Sequence, residues 1–210
     1  MERKGAVKLL SPPQGGGRLL SLAEAIVLGD VAARQSVIGQ DVDDGLFASV
    51  RYEVESFRRF DWLSPLLFAA IYGNGCLLQD QSLRADVARR LYQAASPSLI
   101  GLENRPCPKL VVQIDRYLAV PLRRVWNAVR PRVALYRKGL SRLRNDGDSA
   151  PEAARFRFSG LLLEDAARLG EDGEEIENIL ADYLYLSEDD IRFARLYVRA
   201  SRVMAWPSRN

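Results

Sequence analysis

A chain of 210 residues, 48% of them hydrophobic and 27% charged, can bury a sizeable core, and it contains no histidine. The missing histidine removes the commonest general base and metal ligand. Ser-His-Asp and Cys-His sites are therefore excluded, and two cysteines are too few for a thiolate zinc centre. A formal net charge of +3 hides strong segregation: residues 116–145 carry nine basic residues and no acid, residues 146–191 carry 14 acids against three arginines, and residues 192–210 carry five arginines and no acidic side chain.

The first segment, "MERKGAVKLLSPPQGGGRLL", has basic residues but no continuous apolar centre and no small-residue cleavage site. Residues 1–17 therefore read as a mobile arm rather than a signal peptide, and "QGGGRLL", which follows no strand, reads as a linker rather than a phosphate loop. A helix is predicted over residues 18–37, with Ser21 and Glu24 as its capping box and Leu22, Ile26, Val27 and Val31 on its apolar face. "GQDVDDG" reads as loop, and "LFASVRYEVESF" fits helix or strand equally. Asp61 is placed to cap "WLSPLLFAAIY", with Pro65 in its first turn. The stretch "DWLSPLLFAAIYGNGCLL" is broken by Pro65, Gly73, Asn74 and Gly75, and no apolar run reaches the ~20 residues of a membrane span.

Ser82 begins a further helix, "SLRADVARRLYQAA", with Leu83, Val87, Leu91 and Ala94 on one face. "SPSLIGLENRPCP" is loop and "KLVVQID" a short strand. Pro121 opens a basic helix, "PLRRVWNAVRPRVALYRKGLSRL", in which Leu122, Val125, Trp126 and Val129 are apolar and Pro131 is expected to kink or end the helix. Cys76 and Cys107 form no C-x-x-C pair and read as reduced thiols of a cytoplasmic protein. "RNDGDSAPEA", residues 144–153, reads as a linker and domain boundary.

Three short helices should follow. Ser159 caps the first, "GLLLEDAARL", with Leu162, Ala166 and Leu169 inward and Gly170 as its stop. Asp172 caps the second, "EEIENILADY", with Ile176, Ile179, Leu180 and Tyr183 on one face. Ser187 caps the third, "EDDIRFARLYVRASRVM", with Asp190 completing the box. Carboxylates at a helix start are favoured by ~0.3–1 kcal/mol each, so capping accounts for the acid at this joint. Asp189 and Asp190 are adjacent and point roughly 100° apart, which does not make a paired acid–base site.

The string "ARLGEDGEEIENILADYLYLSEDDIRFARLY" resembles the small domain of VapB-like antitoxins. Gly170 stands at the family glycine, Glu175 and Ile176 at its E-I pair, Asp182 and Tyr183 at D-Y, and Leu186 at its leucine. Ser187, Asp189 or Asp190, and Ile191 stand at the capped start of the last helix, and Ala194 and Tyr197 at its apolar positions. The resemblance covers residues 156–200. Leu184 stands where the family has proline. Of the family's upstream strand pair only an arginine-rich remnant, Arg155 and Arg157, is left.

The resemblance implies a non-enzymatic antitoxin of a type II toxin–antitoxin system, with two partners, operator DNA and a ribonuclease toxin of the PIN-domain class, and no cofactor. DNA binding needs clustered positive charge that neutralises phosphates. Arg123, Arg124, Arg130, Arg132, Arg137 and Lys138 of the basic stripe can supply it, with Arg192 and Arg195 further on. A second reading of the stripe stands beside this one: a solvated face, or pairing with the chain's own acids at 164–190. For the toxin, Arg199, Arg202 and Arg209 suit a nuclease's acidic centre, with Met204 and Trp206 as apolar anchors. The alternative is that Trp206 packs on the chain itself.

The expected architecture is mainly α: an arm at 1–17, a helical N-terminal domain with one short strand at 18–145, and a three-helix, helix-turn-helix-like domain with a basic tail at 153–210. A cytoplasmic homodimer is expected, since such units read two half-sites. The alternatives are a non-enzymatic dimerisation or scaffold module and a stand-alone DNA-binding transcriptional regulator.

Overall fold

A computed structural model describes residues 18–48, 51–54, 57–73, 80–95, 111–113, 116, 119–144, 153–170 and 176–203. The protein is mainly helical, with a small strand content. The chain divides into two compact units, residues 1–130 and 131–210.

In the first unit, α1 (Leu22–Gly29) starts as its sequence requires. The Ser21 amide donates to Glu24 Oε2 at 2.7 Å, and the Glu24 amide donates to Ser21 Oγ at 3.1 Å. The expected helix does not continue to residue 37. It stops at Asp30, which adopts the left-handed conformation with φ 58°, and the chain restarts through a short 3-10 turn into α2 (Gln35–Asp43). The stretch "GQDVDDG", expected to be loop, therefore begins in helix, because Ile38 and Val42 bury on one face.

The stretch open to either reading forms a hairpin, β1 (Arg51–Val54) with β2 (Phe57–Phe60), Arg51 opposite Phe60. Phe60 and Leu20 exchange both backbone hydrogen bonds at 2.8 Å, which ties the hairpin to the start of α1. Phe47, Phe60 and Phe68 are buried in edge-to-face contact, the first and last with ring centroids 4.8 Å apart.

Asp61 caps the turn into α3 (Ser64–Tyr72), its Oδ1 accepting from the Leu63 amide at 2.9 Å and the Ser64 amide at 3.1 Å. α4 (Gln81–Ala95) starts one residue before Ser82 and is capped by Asp80, whose carboxylate reaches the Ser82 and Leu83 amides. The fully buried Asp41 of α2 joins these helices. It accepts a two-pronged contact from Arg84 (2.6 and 2.9 Å) and a 2.6 Å hydrogen bond from the Tyr72 hydroxyl. Burial, then the hydrogen bond to Asp41, pushes the Tyr72 phenol well above its ordinary range.

The predicted strand is β3 (Val111–Gln113). It pairs with a second strand absent from the sequence reading, β4 (Ala119–Pro121). The basic helix, α5 (Leu122–Leu140), runs through Pro131 instead of ending there. Buried side chains on both sides of the proline, Trp126 and Val129 before it and Val133 and Tyr136 after it, outweigh the lost backbone donor.

The units divide at Pro131, not in the 144–153 linker expected from sequence. The reason lies in what the last turns of α5 pack against. Tyr136 meets Phe193 at 5.3 Å and stacks on Tyr197 at 6.3 Å, and Gly139 lies flat against the Phe193 ring. The arginine-bearing remnant is strand-like: Phe156 bridges Leu143 and Arg155 bridges Leu162, both antiparallel. That pairing delays the next helix, α6 (Leu163–Arg168), which Ser159 does not cap. Gly170, with φ 75°, ends it. α7 (Ile176–Asp182) and α8 (Glu188–Val203) complete the unit. α6 packs on α8, burying Leu163, Ala166, Ile191, Phe193 and Ala194.

The arm at 1–17, the turn at 74–75, both cysteines, the loop at 96–108 and the helix start at Asp172 lie outside the described residues. So do most of the linker and the tail residues Met204, Trp206 and Arg209.

Candidate interaction surface

The C-terminal unit presents two surfaces, one basic and one apolar. The basic one is built by α8. Arg192, Arg195, Arg199 and Arg202 are all exposed and fall at i, i+3, i+7 and i+10, within a roughly 80° sector of the helix. The opposite side buries Asp190, Ile191, Phe193, Ala194 and Ala200. The sequence pattern therefore forces the arginines outward: the apolar positions fix which face docks, and the basic residues take what remains.

These arginines do not all have the same duty. Arg192 pairs with Glu188 one turn earlier. Arg195 donates to the Ala167 carbonyl at 3.2 Å and the Leu169 carbonyl at 2.7 Å, closing the C-terminal end of α6. Arg199 and Arg202 stand at the far end of the stripe, away from the acidic helix start.

The joint between α7 and α8 shows what its acids do. Asp190 is 2% exposed and accepts from the Ser187 amide at 2.8 Å and the Ser187 hydroxyl at 2.6 Å. Arg142 meets the same carboxylate at 2.8 Å and donates to the Tyr185 carbonyl at 3.0 Å. Lys138 meets Asp189 at 2.9 Å, a contact that holds the Asp189 carboxyl below its usual range. Part of the basic stripe thus pairs with the chain's own acidic block.

The remaining stripe residues separate by unit. Arg123 and Arg124 are exposed and Arg130 half-buried on α5 in the first unit; Arg132 is half-buried and Arg137 exposed on the same helix in the second.

The apolar surface was not anticipated from sequence. Phe158, Leu184 and Tyr185 are 68%, 81% and 69% exposed, and Tyr183 39%. With Ser159, Asp182 and Leu186 they line an open cleft of about 280 Å³. Tyr183, expected to face inward with Ile179, instead points to solvent, because α7 ends at Asp182 and the chain turns there. The signal was the run "YLYL", four apolar residues that follow neither helical nor strand periodicity.

Among the described residues no group of three or more acidic or thiol side chains is arranged to hold a metal ion, and no helix is long and apolar enough to cross a membrane. Comparison with family models, with curated proteins and with solved structures returns no match.

Proposed function

We propose that this chain is the antitoxin of a type II toxin–antitoxin pair. In this reading it is a cytoplasmic homodimer that binds operator DNA and neutralises a ribonuclease toxin of the PIN-domain class. The observation that carries the reading is the arginine stripe of α8, four exposed guanidinium groups on one helix face that continues toward a basic tail. Such a stripe suits phosphate oxygens, and its distal end suits the carboxylates of a nuclease centre. Arg192 pairs with Glu188 and Arg195 closes α6, so the pair chosen for substitution is Arg199 and Arg202 at the distal end of the stripe, with unfolding followed alongside binding.

The test is fluorescence anisotropy of the full chain on the duplex upstream of its own gene, across a salt series. Binding should weaken linearly in log salt, and R199A/R202A should lower the slope by about two phosphate contacts. The same variant should no longer inhibit RNA cleavage by the co-produced nuclease. Absence of both salt-dependent DNA binding and nuclease inhibition sinks the reading.

A second reading, a non-enzymatic dimerisation or scaffold module, is favoured by one observation. Lys138, Arg142, Arg192 and Arg195 are used inside their own unit. A stand-alone transcription regulator shares the DNA prediction and differs only in leaving the nuclease untouched.

A further inference from the structure

Phe158, Tyr183, Leu184 and Tyr185 together expose an apolar patch on the order of 400 Å², the size of the largest patch on a typical monomer, which is often functional. Two charged residues adjoin it in the chain. Asp182 lines the cleft itself, and Arg157 immediately precedes Phe158. Both are exposed, and among the described residues neither side chain makes an ion pair or hydrogen bond. This distinguishes them from Lys138, Arg142, Asp189 and Asp190, which pair within the unit.

We propose that this patch is a two-fold interface with a second copy of the same chain. A two-fold pairing sets the same surface against itself, so each feature must find its complement on that surface. This patch carries both halves of each complement. Leu184, the most exposed large apolar side chain among the described residues, projects from the wall of a cleft large enough to receive one. Arg157 of one copy meets Asp182 of the other, and the contact occurs twice by symmetry. The patch falls short of the ~800 Å² per partner of a standard interface, so the dimer is weak and its charged rim decides the register. The inference gives a surface to the dimer in the reading above, and it is tested without DNA or toxin, so its failure leaves DNA and toxin binding standing.

Sedimentation velocity of the full chain, from about 1 to 300 μM, spans the affinity such a patch supports. The wild type should pass from monomer to dimer in that range. Arg157→Glu or Asp182→Arg alone sets like charges opposite each other twice and should weaken association at least about tenfold. R157E/D182R restores opposite charges and should return association to within about threefold of wild type. Leu184→Ser with Tyr185→Ser should abolish it. All four positions are exposed, so far-UV circular dichroism should be unchanged in every variant. A chain that stays monomeric throughout overturns the proposal. So does a dimer indifferent to L184S/Y185S, or single charge reversals that the double reversal does not rescue.

Discussion

Two glycines in helices predict opposite outcomes for the same substitution. Gly139 sits in α5, and a β-carbon there would overlap the Phe193 ring. That ring is 0% exposed and is held by Tyr136, Phe156 and Tyr197, with centroids at 5.3, 6.2 and 5.9 Å, so it cannot swing aside. Alanine gains about 1 kcal/mol of helix propensity over glycine. Overpacking a filled core costs about 1–3 kcal/mol, and an overlap with a ring fixed on three sides belongs at the upper end. Gly139→Ala should therefore destabilise by about 1–2 kcal/mol. Gly39 in α2 has nothing within 4 Å of such a carbon, so Gly39→Ala should stabilise by up to about 1 kcal/mol. Urea unfolding followed by circular dichroism measures both. Phe193→Leu in the G139A background should recover part of the loss, a coupling that only direct contact produces. A G139A chain as stable as wild type would refute the packing of α5 against α8.

Arg84→Met leaves the fully buried Asp41 without its two-pronged partner and should cost about 3–5 kcal/mol in urea unfolding, while D41L/R84M should cost less than that single change. A loss below about 1 kcal/mol for R84M would mean that Asp41 does not depend on the pair. Burial pushes the Asp61 carboxyl up to about 6 from 3.8, against the lowering effect of the Leu63 and Ser64 hydrogen bonds. The folded state then holds this proton more tightly than the unfolded chain does. Stability falls as pH rises from about 4 to about 6, by up to about 3 kcal/mol, and stays lower above that window. Asp61→Asn keeps the acceptor oxygen and should remove this slope; an unchanged pH profile in D61N would assign the slope elsewhere.

Local chemistry was the legible part of this sequence. The Ser21–Glu24 box, the Asp61 cap, the stop at Gly170 and the Asp190 half of the Ser187 box could be read because each depends on residues within four positions of one another, although the Ser187 hydroxyl donates to Asp190 instead of capping a helix amide. The helix break at Asp30 was not read, because Asp is enriched in the left-handed conformation but adopts it too rarely for one residue to mark a stop. Nor was the unit boundary. Pro131 reads as a stop only if local cost decides, and here burial on both flanks outweighs it. The 144–153 linker reads as a boundary by composition, yet pairing of Leu143 with Phe156 carries the fold across it. Such non-local contacts were invisible from periodicity alone.

The arginines of the candidate surface show why composition overstates a binding face. Counting charge along residues 116–145 makes nine basic residues look like one stripe. In three dimensions they separate by task. Lys138 and Arg142 meet Asp189 and Asp190 at the start of α8. The acid there thus caps its own helix and takes up cations from α5 as well. Arg195, on α8, spends its guanidinium on the carbonyl end of α6. A substitution at any of these three changes stability and surface charge together, so loss of binding there says little about contact with a partner. Arg199 and Arg202 lie on the same helix face but beyond α6's carbonyls and the acidic joint. Removing the charge of Arg202, exposed at the last turn of α8, is the cleaner measure of what the α8 surface binds.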